Sequence, residues 1–170
     1  WQYSFVNKRD RAERYSQKPT LILITGEEGT GRKDIAKQLE KNLFDSGRVT
    51  FYMGMQNILL GVEADIPKDS ERVENHKEIM RRLGEVGNIM LHAGNLFIVT
   101  AIGIRNQDIE ILKTTLNGAI ETIWVGEDVT TDLTPDLHLD SFNNTNEAVN
   151  KIKDYLGIKG IIFNSWVYSI

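Results

Sequence analysis

The chain contains no cysteine, which excludes disulfides, thiolate chemistry and cysteine-based zinc sites. Its three histidines, His76, His92 and His138, are too scattered to suggest a metal cluster. Its apolar runs, such as Leu96 to Ile102, fall well short of the roughly 20 residues a membrane helix requires, and no signal-peptide pattern is read. There is no excess of positive charge either. A formal net charge of -4 argues against a nucleic-acid or anionic-membrane surface and leaves small anionic ligands, which need only a local field. Neither internal repeats nor low-complexity segments occur. A cytoplasmic, reducing environment is expected, with no nucleic-acid and no membrane partner. The opening residue is Trp1 rather than methionine, so the sequence is expected to be a piece of a longer protein.

What is present is the material of one globular domain. The chain has 170 residues, 41% hydrophobic and 26% charged, close to ordinary soluble usage. Its organising stretch is the apolar run Thr20 to Thr25, the loop Gly26-Glu27-Glu28-Gly29-Thr30-Gly31-Arg32-Lys33 and the amphipathic run Ile35 to Phe44. Strand, glycine loop and helix in that order make a mononucleotide-binding unit, in which backbone N–H groups turn around a phosphate at a helix N-terminus. Gly26, Gly29, Thr30, Gly31, Arg32 and Lys33 are the candidate nucleotide-binding residues. The motif asks for lysine and then serine or threonine after its last glycine, whereas this chain has Arg32 and then Lys33. An arginine can still contact phosphate as a planar fork. A lysine cannot ligate magnesium, so no metal site is assigned, and Glu27 and Glu28 place negative charge in a loop meant for anions. Arg32 and Lys33 have a plainer reading as solvated cations at a helix start.

The rest alternates. Asn7 to Tyr15 reads as a short helix and Val49 to Met53 as a second strand, followed by a helical turn from Gly54 and a charged connection, Glu63 to Glu74. Ile79, Leu83, Val86 and Met90 mark a long helix ending near Gly94. Asn95 to Ala101, the most continuous apolar strand, is expected at the sheet centre. A helix over Asn106 to Leu116, a strand over Ala119 to Val125, an extended piece over Asp136 to Leu139 and a helix over Asn144 to Leu156 complete the pattern. The expectation is an α/β, three-layer, P-loop NTPase-like doubly wound parallel sheet with helices on both faces. Residues 1–19 read as a lead-in from a preceding domain, 20–157 as the P-loop domain, and 158–170 as an apolar tail packing on the domain or on a partner.

With those pieces placed, the chain resembles the adenylylsulfate kinase family, in particular the form fused to a sulfate adenylyltransferase. The likeness rests on Gln17-Lys18-Pro19, Gly26 to Lys33, Ile35 to Glu40, Asn57 with Gly61-Val62, Arg81 to Val86, His92-Ala93-Gly94, Thr100-Ala101 and the closing helix from Glu147. The family transfers the γ-phosphate of ATP to the 3′-hydroxyl of adenylylsulfate, which is chiefly a matter of positioning and charge neutralisation. The resemblance makes Asn57, His76 and Arg105 the candidate substrate-binding residues and ATP or ADP the candidate nucleotide. Magnesium is not expected to be held by the altered loop.

The departures cluster on that chemistry. Gly54-Met55-Gln56-Asn57 stands where the family has Asp-Gly-Asp-Asn, and Asn75-His76 stands for an Asp-Arg pair expected just before the long helix. The short acidic segment Gly126 to Asp136 stands where the family has a long basic lid. No catalytic residue is assigned. The reading is a degenerate kinase-like module with a regulatory, nucleotide-sensing or assembly role. Its alternatives are a working adenylylsulfate kinase using Arg32 or Lys33, and an interaction module with an empty pocket. The implied partners are a preceding sulfate adenylyltransferase or GTPase-like domain and a second copy of the chain.

Overall fold

A computed structural model describes residues 4–55 and 73–164. Five parallel strands, β1 (Thr20–Gly26), β2 (Thr50–Gly54), β3 (Leu96–Ala101), β4 (Ile120–Val125) and β5 (Leu137–Leu139), lie in the order β2-β3-β1-β4-β5. Among the described residues five helices accompany them: α1 (Lys8–Tyr15), α2 (Arg32–Asp45), α3 (Val73–His92), α4 (Asn106–Leu116) and α5 (Thr145–Ile158).

The strands read as apolar runs rather than alternations because both faces of the sheet are covered. Leu21, Leu23, Phe97, Val99, Ile120 and Trp124 point to one face, where Met80 and Leu83 of α3 and Ile109, Leu112 and Leu116 of α4 close the core. Ile22, Ile24, Leu96, Ile98, Ile123 and Val125 point to the other, against Ile35, Leu39 and Leu43 of α2 and Val149, Ile152 and Leu156 of α5. Successive side chains alternate across the sheet, so each interior strand serves both cores at once. The expectation for β3 needs one correction. It is interior and fully buried, but the centre is β1, which pairs with β3 on one side and β4 on the other. Leu21 to Ile24 are as completely buried as any residue of β3.

The chain runs outward from β1 to β2, returns to insert β3, then crosses to β4 beyond β1. That reversal leaves a crevice above the carboxyl ends of β1 and β3, where open α/β sheets take their ligands.

The lead-in and the start of the tail meet at the amino ends of the strands. Gln17 is wholly buried, donates to the Val49 and Gly94 carbonyls at 2.7 and 2.8 Å and accepts from the Val49 N–H. It also forms an antiparallel bridge with Ile162, flanked by Lys18 N–H to Ile161 O and Phe163 N–H to Ser16 O. The Arg48 guanidinium, its pKa lowered by burial, donates to the Ser16 and Phe163 carbonyls and ties the two segments together. The expected turn beyond Met55, the connection from Glu63 to Arg72 and the tail from Ser165 lie outside the described residues.

Candidate functional site

The glycine loop sits at the carboxyl end of the central strand, and its glycines answer to geometry. Gly26 has φ +153°, and a Cβ there would stand 2.2 Å from the Val125 carbonyl oxygen. Only glycine lets β1 turn away so close to β4. Gly29 and Gly31 take φ values of +80° and +83°. Gly31 is the N-cap of α2 and brings no side chain to cap it, so the first turn presents its N–H groups without a competing local acceptor.

Arg32 is not the solvated cation that its place at a helix start suggests. It is only 9% exposed, because its side chain folds back over the loop and Nη1 donates to the Glu27 carbonyl at 3.1 Å. The Thr30 hydroxyl donates to the same carbonyl at 2.8 Å. Arg32 Nε is buried without a hydrogen-bond partner, as is the Thr25 hydroxyl on the last turn of strand before the loop. Buried donors are rarely left unmade. The two residues flank the loop, Thr25 before Gly26 and Arg32 after Gly31.

Beside the loop, above β2 and β3, opens a cavity of about 360 Å³ lined by Arg32, Lys33, Lys37, Glu28, Tyr52 and Thr100, with Gly54 to Met55 and Ala101 to Ile102 at its rim. Lys33 and Lys37 are exposed and four residues apart on α2, hence on one face. Tyr52 is held in place twice: Glu40 Oε1 accepts its N–H at 2.7 Å on the outer edge of the sheet, and its hydroxyl lies 2.9 Å from Thr100 Oγ1. Three cations face one carboxylate, so the cavity carries a positive local field within a chain of net negative charge.

The candidate residues divide into groups. Gly26 to Lys33 form one continuous loop and helix start, with Arg32 and Lys33 reaching the cavity. His76 and Arg105 meet elsewhere, on Asp108. His76 Nε2 lies 2.7 Å from Asp108 Oδ1, and Asp108 Oδ2 accepts the Arg105 N–H at 2.9 Å. Asp108 is wholly buried, whereas the His76 side chain is 41% exposed and Arg105 projects to solvent. The Asn75-His76 pair does not precede the long helix but lies in its first turn, since α3 begins at Val73. Asn57 lies outside the described residues.

Sequence reasoning passed over Lys37, Tyr52, Thr100 and Asp108. Lys37 was legible from its spacing to Lys33, and Asp108 as the acidic third residue of a helix starting at Asn106. Tyr52 and Thr100 could be joined only by the β2–β3 register, in which Tyr52 pairs with Ile98 and Gly54 with Thr100.

On the other flank of the loop, residues 126–136 lie as a fixed strap. Trp124 Nε1 donates to the Asp128 carbonyl, and the Thr131 hydroxyl donates to the Ile104 carbonyl at 2.7 Å. Asn106 donates to Asp132 through its backbone N–H and Nδ2 and accepts the Thr134 N–H on Oδ1. Leu133 is buried in the core, and the Thr130 hydroxyl donates to the Glu27 carboxylate of the loop. Glu127, Asp128, Asp132 and Asp136 make this strap acidic throughout. Among the described residues no group of three or more histidine, aspartate or glutamate side chains could hold a metal ion. Lys33 occupies the position from which the motif's hydroxyl would ligate magnesium, so the residues present do not fit that ion. Among the described residues no helix is long and apolar enough to cross a membrane.

Comparison with known proteins agrees with this geometry. The family model for adenylylsulphate kinase matches residues 18–158. Among curated relatives, the bifunctional enzyme NodQ of Rhizobium sp. (strain N33) is 38% identical over 103 residues, covering 60% of this chain and 15% of that protein. The adenylyl-sulfate kinase of Aeromonas hydrophila is 38% identical over 102 residues, covering 59% of this chain and 49% of its own length. The match therefore spans half or less of these relatives. Among solved structures, the Mycobacterium tuberculosis APS kinase CysC Cys556Ala mutant superposes with a TM-score of 0.72 at 21% identity, over 83% of this chain and 99% of that one, a likeness of fold. A glycine loop on the central strand, five parallel strands under two helical layers and a family match across 18–158 converge: the chain belongs to the adenylylsulphate kinase family.

Proposed function

We propose that this chain is an adenylylsulfate kinase-fold module that binds a phosphate- or sulfate-bearing adenine nucleotide at its glycine loop and does not transfer phosphoryl groups. Its role is regulatory, nucleotide-sensing or one of assembly. The observation that carries this reading is the donor set around the loop: Lys33 at the magnesium-hydroxyl position, and Glu28 the one carboxylate lining the cavity among the described residues. Phosphoryl transfer needs a nucleophile-orienting carboxylate and a counter-charge that bridges the phosphates, present together. Arg32, the unpartnered Thr25 hydroxyl and the uncapped start of α2 support retention of an anion. Gly26, Gly29, Thr30, Gly31, Arg32 and Lys33 are assigned to that anion. His76 and Arg105, joined through Asp108, are assigned with Asn57 to the substrate side. Residues 1–19 are read as the join to a preceding domain, consistent with the bifunctional NodQ relative, and 158–170 as a tail that seals the domain or meets a partner. The place of action is the cytoplasm.

The names of the relatives favour a second reading, an active kinase that transfers the ATP γ-phosphate to the 3′-hydroxyl of adenylylsulfate with Arg32 in place of the motif lysine. One experiment separates them. Adenylylsulfate and ATP are incubated with the protein and Mg²⁺, and the 3′-phosphorylated product is followed by chromatography, alongside calorimetric titration of each nucleotide. Binding without product is expected. Product formed above the uncatalysed background overturns the proposal in favour of the active enzyme.

A further inference from the structure

The misfit between the loop and magnesium has a positive counterpart. At the motif's metal-hydroxyl position the chain carries an ammonium group, and one helical turn on, Lys37 brings a second to the same cavity. With Arg32 against Glu28, the lining keeps two positive charges in excess, the charge of the ion that the motif would have held. An ammonium on a four-carbon stem offers three donors to phosphate or sulfate oxygens, and it repels a divalent cation approaching the same oxygens. Arg32 is nine-tenths buried and lines the same cavity, and its Nε lacks an acceptor, so the residue keeps a hydrogen bond that the protein leaves unmade.

We propose that the loop is a metal-independent anion site, in which Lys33 and Lys37 supply the counter-charge that Mg²⁺ supplies in the unaltered motif. This rests on the reading that the loop binds a phosphate- or sulfate-bearing nucleotide. Its consequence is an inverted metal response. Free Mg²⁺ chelates phosphate oxygens that the lysines need, so the ion competes with the site rather than completing it.

The test is calorimetric titration of ADP and of adenylylsulfate into the intact chain, in EDTA and in millimolar Mg²⁺, at fixed ionic strength. ADP is expected to bind more tightly in EDTA than in Mg²⁺. Lys33→Ala and Lys37→Ala are each expected to weaken binding in EDTA by about ten- to hundredfold, the range for a charge-assisted contact. Lys33→Ser, which restores the hydroxyl, is expected to bind ADP more tightly with Mg²⁺ than without. Lys41→Ala, on the same helix but paired with Asp45 and absent from the cavity lining, serves as the control and is expected to match the unaltered protein. Binding that requires Mg²⁺, or Lys33→Ala and Lys37→Ala proteins that bind like the control, overturns the proposal. Metal-dependent binding without phosphoryl transfer overturns this inference alone, and phosphoryl transfer overturns the function reading alone. Failure of both probes to bind in either buffer overturns both.

Discussion

The two flanks of the glycine loop are built in opposite senses. On the β4 side the strap 126–136 is acidic, anchored by Leu133 in the core and fastened to Trp124, Ile104, Asn106 and Glu27. On the β2 and β3 side the cavity is cationic, open, and lined by Arg32, whose buried Nε has no acceptor. One flank is fastened by hydrogen bonds; the other carries exposed lysines and a buried donor without a partner. Anions are recognised by unspent donors in a positive field. The open, cationic side of the loop is therefore the one over β2 and β3, and the strap occupies the opposite side.

The strongest way to break the comparison is to break the loop that both flanks share. Gly26→Ala sets a Cβ 2.2 Å from the Val125 carbonyl at φ +153°, and backbone cannot give way there without loosening the β1–β4 ladder. A loss of about 3 kcal/mol in unfolding free energy is expected from urea denaturation, with anion binding abolished in whatever remains folded. A milder change separates the flanks. Asn106→Ala removes one donor and one acceptor that hold Asp132 and Thr134. It is expected to cost about 1 kcal/mol and to speed amide exchange across 126–136 about fivefold, leaving exchange at Tyr52 and Thr100 unchanged. Faster exchange on both flanks would mean that they are one cooperative unit.

Much of the architecture was legible because it depends on local regularities. The four-residue spacing of Ile35, Leu39 and Leu43 and the run Leu96 to Ala101 each report burial directly. Strand order does not. β1 and β3 are equally buried, and which of them is central is decided by where the crossovers land. The loop was recognisable from glycine spacing, since φ near +80° leaves few other residues eligible. What the spacing could not reveal is that Arg32 turns inward to the Glu27 carbonyl while Lys33 stays out, because a long cation at a helix start has both choices. The shortness and acidity of 126–136 were plain in the sequence. That this segment is pinned, by Thr131 to Ile104 and by Asn106 to Asp132, arises from contacts more than 20 residues apart.

The finest test of the contrast concerns the residue that belongs to both flanks. Glu27 accepts the Thr130 hydroxyl on its carboxylate, and its carbonyl accepts Thr30 and Arg32. It therefore fastens the strap with its side chain and shapes the loop with its backbone. Glu27→Gln keeps an oxygen for Thr130 and leaves the backbone alone, removing only a negative charge from an exposed position. Stability is expected to change by less than about 0.5 kcal/mol, as for other exposed charges. Affinity for ADP in EDTA is expected to rise about twofold at low salt, as one repulsive charge leaves the loop, and the gain is expected to fade as added salt screens that charge. A loss of affinity would mean that the acidic strap and the loop act together in holding the ligand, and that the two flanks form one site.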